Sequence, residues 1–361
     1  MSNKTYLRFP IDQTADAKTE FKMDLTPIFP THSWESIDPL VLGWSDQKLS
    51  EAKNYFDTLP PANLLVIVQG RVVVSWGAVD QRIKVSSVRK SILSALYGIY
   101  EQQAPGLLDT SLAVLGIDDV PPLTATEAQA TPRMLLQSRS GIYHPFVAGT
   151  PAMKAARPPR GSHRPGTHWY YNNWDFNALG TIFERVFEKK IAIAFRESIA
   201  QPTQMEDFRL EDMYYLNDLE AAKAGEASVH PAYHFKLSAR DMARFGYLYL
   251  NQGKWLDQQI IPESWVKEST HSYSETGLDA NYGYLWWVDG FDLNLKNYSA
   301  RGSLSKYIVN IPDKEMTVIY QNHTELPDSA QNFSNDEFGR LAAITKAQMG
   351  NLLKSILAAK E

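Results

Sequence analysis

The sequence predicts a mixed α/β (α+β) fold, in which an antiparallel sheet flanked by terminal helices lies beside a mostly helical domain. Two runs rich in β-branched residues, 64–68 and 72–76, lie early in the chain and are separated only by a short turn. Further β-rich runs follow near the end of the chain, whereas the middle combines short helical patterns with loops rich in Pro and Gly. We therefore expect a discontinuous sheet domain (residues 1–102 and 232–361) and a helical domain (residues 103–231).

Composition excludes several classes of protein. With 361 residues, 44% of them hydrophobic and 21% charged, the chain resembles a soluble globular protein with an ample core. The net charge of −5 and the lack of a Lys/Arg run argue against a nucleic-acid or anionic-membrane partner. No Cys is present, which excludes disulfides and thiolate catalysis, and no apolar run reaches membrane-spanning length. We expect a cytoplasmic protein if Met1 is the native start, and a periplasmic or secreted one if a leader was removed.

Local signals predict the helices that flank the sheet. Residues 1–44 are Pro-rich and weakly patterned, which predicts an extended arm on the body of the protein. Ser45 precedes a helical pattern that stops at Pro60, so we expect a serine-capped helix there. Ser238 opens another helix, and its spacing to Asp241 resembles a capping box.

The other elements follow from hydrophobic periodicity. Helical patterns occur at residues 131–137, 177–188 and 335–360, and β-rich runs occur at 282–288, 298–301, 306–311 and 316–321. A turn at residues 312–315 joins the last two of these strands. The sequence contains no internal repeat, P-loop, G-x-G-x-x-G or H-E-x-x-H motif.

Residues 85–100 contain the first candidate for chemistry. Their apolar positions recur at helical spacing, and Ser86 and Ser87 stand where the first N–H groups of the helix lack partners. Lys90 follows Ser87 by one turn, which places its amine on the same face as the hydroxyl. A serine hydroxyl becomes a nucleophile when a neighbour takes its proton and the developing oxyanion is stabilised, and a buried helix start provides both. Ser87 is therefore the candidate nucleophile.

The Ser-x-x-Lys spacing alone is not specific, because other pairs in the chain share it: Ser45/Lys48, Ser50/Lys53, Ser264/Lys267 and Ser303/Lys306. A lone pair of this kind usually lies on a solvated helix face or turn. Ser87 differs because it follows an apolar strand pair and opens the most apolar helix of the chain. Further motifs downstream strengthen the assignment.

Three motifs in a fixed order carry a family resemblance: Ser87-x-x-Lys90 at a helix start, Tyr171-Asn172-Asn173 in a loop, and Ala300-Arg301-Gly302 between two strand runs. Together they resemble the serine β-lactamase and penicillin-binding-protein superfamily. The Tyr-x-Asn form is similar to the class C-like branch, which includes class C β-lactamases, D-alanyl-D-alanine carboxypeptidases, family VIII esterases and nylon-oligomer hydrolases. The resemblance covers roughly residue 40 to the C-terminus and implies a β-lactamase-like fold.

The adjacent residues Tyr170 and Tyr171 leave the register of the second motif open. Counting back from Leu179-Gly180 favours Tyr171, with Tyr170 as a neighbouring substrate-binding residue. The resemblance then implies that Tyr171 exchanges a proton with the nucleophile and the leaving group. Because a phenol has a pKa near ~10, it would need help from the Lys90 cation to act as a base. Asn173 would hold Lys90 and a substrate carbonyl by hydrogen bonds.

The third motif keeps only its glycine. The resemblance implies that Gly302 lets the substrate approach the strand edge, and that the N–H groups of Ser303 and Ser87 form the oxyanion hole. Ala300 stands where the family has a Lys or His that helps to recognise a substrate carboxylate. Arg301 is adjacent but belongs to the opposite strand face, so it does not replace that charge. We therefore expect uncharged esters or amides to be preferred over penicillins and cephalosporins.

Other side chains near the motifs have more ordinary interpretations. His163 and His168 lie in or beside a basic, Pro-rich loop without a carboxylate at ligand spacing, so we expect surface histidines and no metal. Trp286 and Trp287 alternate along a predicted strand, so one of them can line the cleft while the other packs in the core.

The sequence thus predicts a serine hydrolase that cleaves an ester or amide bond of a small-molecule substrate through an acyl-enzyme on Ser87, without a cofactor. Two alternatives stay open: a class C-type β-lactamase or D,D-peptidase, and a non-catalytic binding protein of the same fold. The altered third motif supports the non-catalytic alternative, whereas the complete first and second motifs oppose it. The sequence does not predict the oligomeric state or the natural substrate.

Overall fold

The computed structural model describes residues 26–323 and 343–360 and confirms the mixed α/β architecture. The strands, in chain order, are β1 (Glu35–Ser36), β2 (Ala62–Val68), β3 (Arg71–Trp76), β4 (Ile83–Lys84), β5 (Met213–Leu216), β6 (Ala232–Leu237), β7 (Lys254–Trp255), β8 (Gln258–Gln259), β9 (Asn281–Tyr282), β10 (Trp287–Val288), β11 (Tyr298–Gly302), β12 (Lys306–Ile311) and β13 (Met316–Asn322). The helices are α1 (Asp46–Asp57), α2 (Val88–Tyr100), α3 (Pro132–Leu136), α4 (Pro151–Ala155), α5 (Asn173–Val186), α6 (Ile191–Phe195), α7 (Leu219–Lys223), α8 (Ala239–Leu250), α9 (Glu263–Ser269) and α10 (Lys346–Lys360).

The main sheet joins both ends of the chain, as the sequence predicts. Within the described residues it has eight strands in the order β1-β3-β2-β13-β12-β11-β10-β9. β13 pairs antiparallel with β2, which places Thr317 opposite Ile67. β1 is an exception to the expected antiparallel order, because this part of the N-terminal arm adds to β3 as a parallel edge strand. Residues 1–25 of the predicted arm lie outside the described residues.

A hydrophobic core packs on each face of this sheet. Since successive side chains of a strand point to opposite faces, Ile67 packs into the core that contains α2, α5 and α8, while Val66 packs into the core that contains α1 and α10. Ser45 caps α1, and its N–H donates to Ala359 O of α10 at 2.8 Å. The two terminal helices therefore cover one face together, and the candidate nucleophile helix α2 lies on the other.

One local prediction needs correction at the start of a helix, and a second can be compared only in part. Ser238 Oγ accepts the N–H of Asp241 at 3.1 Å, which confirms the cap of α8. The Asp241 carboxylate does not return the bond, because it accepts the N–H groups of residues 206–208 instead and so satisfies three amides of the preceding loop. α10 begins at Lys346, and residues 335–342 of the predicted helical pattern lie outside the described residues.

The predicted strand at residues 282–288 is two short strands, β9 and β10, joined by a buried turn. Gly283 N–H donates to Trp286 O at 2.8 Å, and Leu285 adopts a left-handed φ of 62°. Tyr284 and Trp286 are buried in the core. An apolar run that is buried on all sides has the same sequence signature as a buried strand, so periodicity does not reveal the turn.

The middle of the chain carries α3 to α7 and short 3-10 turns, as its helical patterns predict. β5 pairs with β6, so a strand ladder crosses the boundary that the sequence placed at residue 231. The domain boundaries therefore stay a prediction. In residues 26–323 and 343–360, no helix combines the length and the apolar character needed to cross a bilayer.

Candidate active site

Ser87 lies at the junction between β4 and α2. The N–H of Val85 donates to Phe235 O at 3.0 Å, which ties the segment before Ser87 to β6. Ser86 then adopts a left-handed φ of 51°, and α2 begins at Val88. Positive φ at a non-glycine residue is uncommon and persists where surrounding contacts hold it, often at functional sites. This turn sets Ser87 at the helix start.

The Ser87 hydroxyl does not cap its helix. Ser87 occupies the position before α2, but its backbone is already helical, with φ of −73° and ψ of −6°, and its side chain accepts no N–H of α2. Its Oγ instead accepts a hydrogen bond from Lys90 Nζ at 3.1 Å. The hydroxyl is therefore directed at an amine rather than at the backbone.

Lys90 connects the residues of the first two motifs. Its Nζ donates to Ser87 Oγ at 3.1 Å, to Tyr171 OH at 2.6 Å and to Asn173 Oδ1 at 2.7 Å. The side chain is 2% exposed, and Nζ lies 4.1 Å from the ring centroid of Tyr171 and 4.3 Å from that of Phe176. The structure thus brings Ser87, Lys90, Tyr171 and Asn173 together, while their catalytic roles stay predictions.

The start of α5 positions the second motif. α5 begins at Asn173, earlier than the predicted pattern, because Asn172 caps it by accepting the N–H of Trp174 at 3.3 Å. The Asn172 side-chain amide also donates to Asp175 Oδ1 at 2.8 Å and to Ile142 O at 2.7 Å, so this side chain is fully hydrogen-bonded without Lys90. Asn173 faces Lys90, and its own amide N–H donates to Ala148 O at 3.0 Å.

The two adjacent tyrosines have different partners. Tyr171 OH meets Lys90 Nζ, whereas Tyr170 OH donates to Met153 O at 3.0 Å. The Tyr170 ring packs edge-on against Tyr143. The geometry agrees with the register Tyr171-Asn172-Asn173 and places the predicted substrate-binding residue Tyr170 away from Lys90.

Burial shifts the two titrating groups in opposite directions. It lowers the pKa of the Lys90 amine well below its usual range, and the neighbouring Arg89 charge adds to this effect. Burial raises the pKa of Tyr171 to about 12, although the Ser87 hydroxyl and the Arg89 charge act the other way. Both shifts favour a neutral amine beside a neutral phenol. A neutral amine has two N–H donors and one lone pair, so in that form the Ser87 hydroxyl donates to Nζ over the same 3.1 Å, while Nζ donates to Tyr171 and Asn173. This differs from the sequence-based expectation that a Lys90 cation makes Tyr171 the base, because Lys90 itself has the character of a base.

The glycine of the third motif allows a close approach between β11 and the segment before Ser87. A Cβ added at Gly302 would overlap Val85 O and would lie 3.2 Å from the Cβ of Ser86. Ser303, the next residue, is exposed and lines the same cleft as Ser87. The proposed oxyanion hole from the N–H groups of Ser303 and Ser87 stays a prediction.

The residues before Gly302 place no cation in the cleft. Ala300 is fully buried in the core. Arg301 forms an ion pair with Asp279 at 2.7 Å and lies 4.1 Å from the ring centroid of Phe291. Arg301 is thus engaged elsewhere, as strand alternation predicts, and does not replace the missing cation.

A cleft of about 620 Å³ opens in front of Ser87. Asn173, Ser303 and the loop at residues 148–152 contribute to its lining. Arg89 and His234 also line it, and sequence reasoning missed both of them. The sequence could have indicated Arg89, because it is a charged residue on the buried face of a largely apolar helix. Nothing in the sequence indicated His234, because only the packing of β6 beside α2 brings it to the cleft.

Trp286 and Trp287 lie in different surroundings, as predicted, but neither is among the described residues that line the cleft. Trp287 stacks on Tyr171, with ring centroids 5.5 Å apart, while Trp286 is fully buried in the core. His163 and His168 stack on each other, with ring centroids 3.9 Å apart, in the Pro-rich loop. Among the described residues, no group of three or more His, Asp or Glu side chains is arranged to hold a metal ion.

Comparisons with known proteins agree with this geometry. A family model described as beta-lactamase matches residues 54–337. The fold is similar to that of a penicillin-binding protein homologue from Caulobacter crescentus (TM-score 0.61, 14% identity, covering 88% of this chain and 99% of that chain). It is also similar to a penicillin-binding protein homologue from Pyrococcus abyssi (TM-score 0.55, 19% identity, covering 82% and 74%). A class C beta-lactamase matches as well (TM-score 0.58, 16% identity, covering 86% and 97%).

No curated protein sequence matches the chain. The structural similarities are at low identity and establish the fold, whereas the family model covers most of the chain, including all three motifs. Together they indicate a hydrolase of the serine β-lactamase type. The chain belongs to the beta-lactamase family.

Proposed function

We propose that this protein is a serine hydrolase that cleaves an ester or amide bond of a small-molecule substrate through an acyl-enzyme on Ser87. The observation that carries the proposal is the set of hydrogen bonds from Lys90 Nζ to Ser87 Oγ, Tyr171 OH and Asn173 Oδ1, at 3.1, 2.6 and 2.7 Å. A nucleophile, a base and a second proton carrier within hydrogen-bond reach of one another are what covalent acyl transfer requires.

In the first step, Ser87 Oγ attacks the substrate carbonyl carbon and its proton moves to Lys90 Nζ. The lowered pKa of Lys90 supports this role, because a neutral amine can accept the proton near neutral pH. The carbonyl oxygen becomes an oxyanion, and the backbone N–H groups of Ser87 and Ser303 are its proposed donors.

Collapse of the tetrahedral intermediate breaks the bond to the leaving group and leaves the acyl group on Ser87. Tyr171 OH gives its proton to the departing oxygen or nitrogen and is reprotonated by Lys90, which its hydroxyl contacts at 2.6 Å. The high pKa of Tyr171 suits this role, since a phenol with a pKa of about 12 does not remain ionised after the transfer. Water then attacks the acyl-enzyme, releases the carboxylic acid and restores Ser87.

The first test is the replacement Ser87→Ala, which we expect to abolish turnover of a p-nitrophenyl ester while circular dichroism shows an intact fold. A fluorophosphonate probe should add its mass to the peptide that contains Ser87 and to no other. Ser264→Ala is the matched control, because Ser264 has the same spacing to a lysine but is exposed on α9.

Three results would contradict the proposal: full activity in Ser87→Ala, a probe adduct on Ser264, or the absence of any adduct. The last result would favour a non-catalytic binding protein of the same fold.

A further inference from the structure

Arg89 is a buried cation without a carboxylate partner. Its side chain is 2% exposed, and its guanidinium lies 4.3 Å from the ring centroid of Tyr233. Nη2 donates to Asn177 Oδ1 at 3.1 Å, whereas Nη1 has no hydrogen-bond partner. Within the described parts of the chain, no carboxylate oxygen forms an ion pair with this guanidinium. Arg89 therefore lines the cleft, and its Nη1 is a buried donor without a partner.

An unpaired buried charge is costly, because water no longer solvates it. The ring of Tyr233 and the Asn177 amide offset part of this cost through cation–π attraction and one hydrogen bond. Burial raises the pKa of Tyr233, so the phenol stays neutral and does not serve as a counter-ion. An anionic ligand in the cleft would provide the missing compensation.

His234 is a second unused polar group in the same cleft. It is 5% exposed, and neither of its ring nitrogens has a hydrogen-bond partner. Burial, with the charges of Arg89, Lys84 and Lys90, lowers the pKa of His234 to about 2, so its ring is neutral and keeps one N–H donor. Arg89 and His234 thus add a cation and a neutral donor to the cleft.

The charge of the lining has one sign. Arg89 contributes a cation, and the described residues that line the cleft include no Asp or Glu. A cleft of this kind attracts an anion and has no carboxylate to repel it. Because a guanidinium matches a carboxylate in shape and in donor geometry, a carboxylate is the ligand group that fits.

We propose that Arg89 and His234 form a subsite for a carboxylate group of the substrate, so that the enzyme prefers esters or amides that carry a negative charge. The proposal rests on the hydrolase function proposed above and deepens it by naming the substrate class. It also revises the preference for uncharged substrates that Ala300 suggested. The charge lost at Ala300 belongs to β11, whereas the charge of Arg89 lies on α2 against residues of α5 and β6.

The kinetic test compares two matched ester pairs. Mono-p-nitrophenyl glutarate and its methyl ester differ by a carboxylate in the acyl part, and 3-carboxyphenyl butyrate and its methyl ester differ by one in the leaving group. We expect the charged member of at least one pair to have a kcat/KM that is about 10- to 100-fold higher, since a charge-assisted hydrogen bond contributes a discrimination of this size. The pair that shows the preference identifies the part of the substrate that carries the carboxylate.

Variants of Arg89 assign the preference to this side chain. Arg89→Gln should reduce the ratio between charged and uncharged esters to about one, while Arg89→Lys should keep part of it. Lys254→Gln is the control, because it removes one positive charge from an exposed residue of β7 outside the cleft lining, and it should leave the ratio unchanged. Equal kcat/KM values in both wild-type pairs, or a ratio that survives Arg89→Gln, would overturn the subsite.

A binding measurement separates this inference from the hydrolase proposal and does not need a folded Arg89 variant. Calorimetry on Ser87→Ala, with monomethyl glutarate as the probe and dimethyl glutarate as its uncharged control, should show at least about tenfold tighter binding of the charged probe. Preferential binding supports the subsite even if Ser87 is never labelled. Equal binding of the two probes, in a protein whose Ser87 is labelled, would refute the subsite and leave the hydrolase standing.

Discussion

Lys90 and Arg89 are neighbours on α2 and both are buried, but their surroundings differ. Lys90 Nζ has three side-chain acceptors within 3.1 Å, whereas the Arg89 guanidinium has one, Asn177 Oδ1, together with the face of Tyr233. Burial lowers the pKa of Lys90, because an amine can give up its proton and escape the cost of desolvation. A guanidinium keeps its charge. The same burial therefore favours a base at one position and a fixed charge at the next.

Replacing Lys90 should have the largest effect on activity, and it tests whether Lys90 acts as a base. We expect Lys90→Met to lower kcat/KM for a p-nitrophenyl ester by about 10²- to 10⁴-fold, the range for losing a general base. Lys90→Arg should lose as much, because it restores a charge but cannot accept the Ser87 proton. Steady-state kinetics check both, with Lys254→Met as a surface control. Wild-type activity in Lys90→Arg would mean that Lys90 supplies charge alone, and the contrast with Arg89 would disappear.

The next largest effect is expected at the phenol that contacts Lys90. Tyr171→Phe removes the proton relay but keeps the ring that stacks on Trp287, so activity should fall by at least about 10²-fold with little loss of stability. Tyr170→Phe is the matched control and should change kcat/KM far less, because its hydroxyl contacts Met153 O. If the two variants exchange their effects, the motif register is off by one and Asn172 replaces Asn173.

A substrate comparison tests whether Arg89 takes over the charge that is missing at Ala300. That charge would contribute about 1.5–3 kcal/mol through a charge-assisted hydrogen bond. Because Arg89 lies on α2 and not on β11, we expect it not to replace that charge for the carboxylate of a β-lactam, so a chromogenic cephalosporin should be roughly 10- to 150-fold poorer in kcat/KM than a p-nitrophenyl ester. Equal rates would show that another cation, such as Arg89, fills that role, and would favour the class C-type β-lactamase alternative.

The smallest expected effect is a pH dependence of stability. Because the pKa of Lys90 in the folded protein lies below its ordinary value of 10.5, the unfolded chain binds one more proton between these two values. The free energy of unfolding of the wild type, relative to Lys90→Met, should therefore rise with pH in this window, by about 1.4 kcal/mol per pH unit, and be largest above the ordinary pKa.

Urea unfolding between about pH 7 and pH 10 measures this difference. Arg89→Met is the comparison variant, and its difference from the wild type should stay constant over the same range, because a guanidinium does not titrate there. A constant difference for Lys90→Met as well would show that the Lys90 amine remains charged in the folded protein.

Local sequence patterns correctly predicted the elements that depend only on residues close together in the chain. The β2–β3 hairpin and the serine-capped helix α1 depend on residues a few positions apart, and both formed as expected. The prediction of a single strand at residues 282–288 was wrong. The turn inside this run is held by a hydrogen bond from Leu285 N–H to Leu136 O, and Leu136 is far away in the chain. The half-formed capping box at Ser238 has a similar cause, since a distant loop occupies the Asp241 carboxylate.

The sequence by itself determined the order of the three motifs and the one-turn spacing of Ser87 and Lys90, because both follow from the chain and from helix geometry. Only the tertiary structure decided that Tyr171 rather than Tyr170 meets Lys90, since the start of α5 sets which tyrosine faces α2. Only the tertiary structure leaves the Arg89 guanidinium without a carboxylate in the cleft. Burial and pairing are set by packing between segments that are distant in the chain, and no local pattern encodes that packing.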